Sequence, residues 1–106
     1  MKLVRIAGFK IRVFEEDGQL LFASTDVGKM LGVADSSSLW RRSATERQYR
    51  TSPTGKELRV LTKVELFKAV FGATHKDAPR ERREYKEAAQ AALMNQAVFT
   101  PFEDLV

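Results

Sequence analysis

Three groups of side chains in this chain are placed to do chemistry, and all of them are basic or hydroxylic. Ser36, Ser37, Arg41 and Arg42 fall in one short stretch, Arg47, Arg50, Lys56 and Arg59 flank Pro53 and Gly55, and Arg80, Arg82 and Arg83 are bunched near the carboxyl end. Guanidiniums bind phosphate or guanine with two parallel hydrogen bonds, and hydroxyls bond phosphate or base edges, so the chemistry on offer is recognition of a polyanion. Trp40 lies among them and offers a stacking surface, although a lone tryptophan more often packs on the core. Catalytic and metal chemistry have little to draw on. The chain has no cysteine and one histidine, His75, and it carries neither a glycine-rich phosphate loop nor a carboxylate cluster at ligand spacing. We therefore expect no enzyme activity, no metal and no cofactor.

The charge distribution supports the same chemistry. Formal net charge is +4 over 106 residues, but residues 1–40 hold five basic and five acidic side chains, whereas residues 41–86 hold thirteen basic and six acidic. Concentrated positive charge suits a phosphate backbone, because each neutralised phosphate releases condensed counterion. A set of solvated faces would look much the same in sequence. The length and the 43% hydrophobic composition suit one domain with one modest core. No apolar run approaches the roughly 18 residues of a membrane span, and the amino terminus lacks the apolar core of a signal peptide. The expected location is cytoplasmic, at the bacterial nucleoid if DNA is the partner, with no membrane.

The elements that must position these side chains follow from periodicity and punctuation. Lys2 to Phe14 reads as one strand with Gly8 marking a bulge, Asp17-Gly18 as a turn, and Gln19 to Ala23 as the returning strand of a hairpin. Ser24, Thr25 and Asp26 supply cap oxygens for a helix carrying Val27, Met30 and Leu31 on one face, and Gly32 ends it. Asp35 and Ser36 then cap a second helix in which Leu39 points inward. Two helices joined so tightly, the second bearing hydroxyls and paired arginines, have the form of a helix-turn-helix with its recognition helix at about 35–43. An ordinary packed helix pair fits the same pattern.

Residues 47–61 read as a basic hairpin, with Pro53 and Gly55 suiting a type I turn followed by a glycine bulge. Such a hairpin directly after a helix-turn-helix has the position of a wing. Thr62 and Glu65 form a capping box for a helix to about Phe71 whose Val64, Phe67, Val70 and Phe71 read as a core stripe. Asp77 and Pro79 open a longer helix to about Asn95, with Tyr85, Ala88, Ala89, Ala92 and Leu93 as its buried face. Arg80, Arg82, Arg83 and Lys86 crowd its first turns, where the helix dipole opposes cations, so an anion is expected there unless Glu81, Glu84 and Glu87 compensate.

Phe22 to Val33, preceded by Ile11-Arg12-Val13 and the Asp17-Gly18 turn, resembles the opening of the BRO-type amino-terminal domain of phage antirepressors and large DNA-virus proteins. Val60-Leu61-Thr62, then Leu66 to Phe71, then Ala78 to Tyr85 resemble that family's second block. The likeness spans about residues 9–90. This chain has Val64-Glu65-Leu66-Phe67 where the family has a Gly-Leu-Tyr-type segment, and Glu84-Tyr85 where it has an Arg-Trp pair. The resemblance implies DNA binding in phage or prophage regulation.

Taken together, the sequence predicts an α+β domain over residues 1–96: an amino-terminal β-hairpin, a helix-turn-helix-like pair, a basic wing and two carboxyl-terminal helices. Residues 97–106 form an apolar tail packing on the domain or on a dimer partner. Its expected function is binding of double-stranded DNA as a homodimer through Ser36, Ser37, Trp40, Arg41, Arg42, Arg47, Arg50, Lys56, Arg59, Arg80, Arg82 and Arg83. The alternative is a protein-interaction module that docks on a host or phage regulator, a repressor or polymerase, without touching DNA. Convergence of Arg41, Arg42, Arg47, Arg50 and Arg59 on one face separates the two.

Overall fold

Ala7 and Gly8 both take left-handed backbone angles, φ 52° and 82°, as do Asp17 and Gly18 at 51° and 77°. Two successive left-handed residues make the tight turn whose twist matches an antiparallel hairpin. The expected single strand over Lys2 to Phe14 is therefore two strands, and Gly8 marks a turn instead of a bulge. The computed structural model describes residues 1–72 and 80–104, with the side chains of residues 80–82 left aside. The expected caps at Asp77 and Pro79, His75, and Leu105 of the tail lie outside the described residues.

The amino-terminal segment is thus a three-stranded meander, β1 (Lys2–Ile6), β2 (Phe9–Glu16) and β3 (Gln19–Ala23). The basic hairpin, β4 (Gln48–Thr51) and β5 (Glu57–Thr62), does not stand apart from it. β5 pairs with β3, and a short β6 (Glu103–Asp104) pairs with β1, giving one antiparallel sheet in the order β4-β5-β3-β2-β1-β6. Within the hairpin loop the Ser52 hydroxyl accepts the Lys56 amide at 3.1 Å, and Gly55 has φ 88°, as the turn residues predict.

Strand alternation places Val4, Ile6, Ile11, Val13, Phe22 and Leu61 on one face. There they form a single core with Val27, Met30, Leu39, Trp40, Leu66, Val70, Ala89 and Leu93, drawn from all four helices. These helices are α1 (Ser24–Met30), α2 (Ser36–Ser43), α3 (Lys63–Phe71) and α4 (Arg80–Leu93). The other face buries Leu3, Leu21, Leu58 and Val60. Across it Arg50 of β4 reaches Glu16 of β2 at 2.5 Å, although β5 and β3 lie between them. Three strand spacings are about 14 Å in a flat sheet, and the two residues are also offset along the strands, so the pair meets only because the sheet coils. That coiling closes the second face over its own leucines.

The expected cap of α1 differs from the observed one. Ala23 takes the cap position of α1 without a side-chain bond. Asp26, only 7% exposed, instead accepts the Arg12 amide at 2.9 Å and the Arg12 guanidinium at 2.8 and 3.0 Å. This satisfies a β2 amide lying just beyond the end of β3 and pairs the carboxylate with a charged guanidinium, a stronger claim on it than a single cap bond. The capping box of α3 forms as expected, and the second Glu65 oxygen additionally accepts the Thr45 and Glu46 amides.

The α3 stripe is a correction. Leu66 and Val70 are buried, whereas Val64 is 78% exposed and Phe71 is nearly half exposed. A nine-residue helix on a sheet buries one row, and Leu66 and Val70, one turn apart, take it. On α4, Ala89 and Leu93 are buried, while Tyr85 and Ala88 lie at the surface and Tyr85 stands edge-on to Phe9. Lys86 and Gln90 donate to the Gly72 and Val70 carbonyls and so satisfy the end of α3. The chain then folds back through a 3-10 turn, Gln96–Phe99, which sets Phe99 against Phe22 and Phe67.

Candidate nucleic-acid interface

The α1–α2 corner is set by two glycines. A Cβ at Gly28 would meet the Ser36 Cβ at 3.0 Å, so the glycine is what lets the start of α2 lie against α1. At Gly32, φ 68°, the chain closes α1 with paired reverse bonds, Val33 amide to Gly28 carbonyl at 2.8 Å and Gly32 amide to Lys29 carbonyl at 3.1 Å. Asp35 then caps α2 by accepting the Ser38 amide at 3.2 Å. The resulting α2 buries Leu39, Trp40 and Ser43 and leaves Arg41 and Arg42 at the surface.

Trp40 holds α2 to the hairpin. Its ring is 3% exposed, and its indole N–H donates to the Val60 carbonyl of β5 at 3.1 Å. Tyr49 meets it edge-on at 5.1 Å, and the Arg59 and Arg47 guanidiniums lie 5.2 and 5.9 Å from the ring centre. Arg59 also donates to the Ser37 hydroxyl. Trp40 thus belongs to the packed wall of the site, and its ring is not a free stacking surface. Ser37 and Arg41 are one helical turn apart, so the row that Arg59 reaches at Ser37 continues to Arg41.

The structure therefore gathers Ser37, Arg47 and Arg59 about Trp40, with Arg41 one turn past Ser37 on the exposed side of α2, Arg42 one residue further along, and Lys56 exposed at the hairpin tip. Arg42 donates to the Ser38 carbonyl at 3.4 Å and lies toward α4. There its charge, after burial, pushes the Lys86 ammonium below its ordinary value. Ser36 is occupied in the contact with Gly28. Arg50 points the other way: alternation sets it opposite Tyr49, and its pairing with Glu16 holds the Glu16 carboxyl below the usual carboxylate range. Arg83 is exposed on α4, and the side chains of Arg80 and Arg82 lie outside the described residues.

One residue of this face is not singled out by the sequence reading. Tyr49 is 44% exposed and stands edge-on to Trp40, the ring on which the Arg47 and Arg59 guanidiniums also lie. Its signal is strand alternation, which puts it on the helix side beside its cross-strand partner Arg59 and turns Arg50 away.

Three charges on this face lack an acidic partner among the described residues. Arg12 and Arg50 each hold a carboxylate, but Arg41, Arg47 and Arg59 have no carboxylate partner among the described residues. Among the described residues no cluster of three or more histidine, cysteine or acidic side chains could hold a metal, and no helix is long and apolar enough to cross a membrane. The chain matches no protein-family model, and comparison with curated proteins and with solved structures likewise gives no match.

Proposed function

We propose that this chain is a double-stranded DNA-binding module of the BRO amino-terminal type, acting in phage or prophage regulation in the bacterial cytoplasm. In this reading α1 and α2 are the helix-turn-helix, α2 presents Ser37, Arg41 and Arg42 to the major groove, and the β4–β5 hairpin is the wing. Arg47, Tyr49 and Lys56 contact the adjacent backbone. The observation that carries it is the set formed by Arg41 on α2 and Arg47 and Arg59 at the hairpin, none with a carboxylate partner among the described residues, the two hairpin guanidiniums lying on Trp40. Elsewhere on the sheet Arg12 and Arg50 are paired with acids and Arg5 lies on the Phe102 ring, whereas Arg41, Arg47 and Arg59 share this one face. Phosphates supply the missing counter-charge, and a helix beside a hairpin fits a groove and its flanking backbone.

The test is duplex binding across a salt series, for the native chain and for Arg41→Ala combined with Arg47→Ala. Each lost phosphate contact lowers the slope of log affinity against log salt by about one, so the double variant is expected to lose about two. Arg5→Ala serves as control, because that guanidinium lies on the Phe102 ring at 4.8 Å, away from α2. Absence of duplex binding at low salt overturns the reading in favour of a protein-docking module.

A further inference from the structure

From the structure we infer that a second copy of this chain docks across a groove between the β2–β3 turn and the start of α3. The groove has a volume near 500 Å³. Glu15, Gly18, Gln19 and Leu20 form one wall, Thr62, Lys63 and Val64 the other, and Phe99 and Pro101 complete the lining. Val64 stands at its rim, 78% exposed, and Met94 is 76% exposed just past the end of α4, near where Lys63 reaches Gln96. Isolated exposed hydrophobics are ordinary, but Val64 adjoins a groove lined by Leu20, Phe99 and Pro101 and extends its apolar surface.

The charges name the occupant. The turn wall carries Glu15, with Asp17 beside it in the turn, and the helix wall carries Lys63, with Lys68 one helical turn past Val64. Glu15 and Glu16 are paired within the chain, to Lys2 and Arg50, whereas Asp17 and Lys68 have no partner among the described residues. A two-fold axis through the groove sets the acidic wall of each copy against the basic wall of the other and buries Val64 against Leu20 and Phe99. Such self-complementarity is what a closed, symmetric dimer requires, and a purely acidic or purely basic rim would forbid it. The contact leaves both α2 faces open to solvent, so it neither needs nor blocks a nucleic acid.

Sedimentation equilibrium without DNA tests this. The native chain is expected to dimerise, and Val64→Asp, at a position too exposed to matter for folding, to weaken the dimer at least about tenfold by setting a charge in the contact. Asp17→Lys and Lys68→Asp are each expected to weaken it, and the two together to restore it, which loss of fold in either variant would not do. A native chain that stays monomeric at every concentration overturns the inference, as does a dimer indifferent to Val64→Asp. Because no DNA is present, either result leaves the reading of the α2 face to its own test.

Discussion

At the scale of single residues, what decides the structure is where a polar group finds its partner. Asp26 stands in a position that suits a helix cap, yet it serves a strand amide and a guanidinium, because there it makes three hydrogen bonds, two of them to a charged group. Replacing Asp26 by Asn keeps the shape and removes the charge. The Arg12 guanidinium, whose proton the aspartate holds more tightly than usual, is then left partly buried without its counter-ion. Expected loss of stability is about 2–4 kcal/mol, read as a lower urea midpoint at unchanged slope. Trp40 offers a second reading at this scale. It is the sole tryptophan, it is buried, and its N–H is bonded to Val60, so its emission should be blue-shifted in the native chain and move to the red on unfolding.

At the scale of elements, most of the helices and turns were legible in the sequence, because their signals are local. The capping box at Thr62 and Glu65, the Asp35 cap, the Gly32 stop and the Pro53–Gly55 turn each involve residues a few positions apart, and each forms. What sequence could not show is longer in range. Ala7 in a left-handed turn has no signal of its own and is carried by the strand pairing on either side. Whether Val64 or Leu66 faces inward depends on how α3 rolls onto a sheet assembled from distant strands. The candidate site divides along the same line. Its α2 half is readable, but the split of Arg50 from Tyr49 and Arg59 needs the register of β4 on β5. Gly28 tests the helix corner itself: a Cβ 3.0 Å from Ser36 forces α2 outward, so Gly28→Ala should cost about 1–3 kcal/mol and weaken binding on the α2 face. The coil of the sheet has a pH signature. Arg50 holds the Glu16 carboxyl below its ordinary value of 4.5, so the pair's contribution is complete above that value and fades as pH falls through the lowered one. Native stability should drop more steeply than that of Glu16→Gln below about pH 4, by a small margin because the pair is exposed to solvent.

At the scale of the whole molecule, charge is segregated in a way that net charge hides. A formal +4 is too small to drive polyanion binding by itself, but the unpaired arginines sit on the α2 face while Glu15, Glu16, Asp17, Glu103 and Asp104 lie on strands and turns away from it. A phosphate backbone therefore meets a face of net positive charge, on which Arg41, Arg42, Arg47, Lys56 and Arg59 outnumber Asp35, Glu46 and Glu57 of the same segment. Three or four arginine contacts imply an affinity loss of about 40- to 150-fold for a fourfold rise in salt, since the slope is near 0.9 per phosphate. If two copies associate across the groove and both α2 faces engage one duplex, the number of neutralised phosphates doubles and so does the slope. Measuring the slope for the native chain and for Val64→Asp separates the layers of this reading. Native binding with twice the slope of the variant ties the dimer to DNA recognition. Equal, steep slopes leave each α2 face acting alone, and a flat line for both removes the nucleic acid and leaves the groove as the principal binding surface of the molecule.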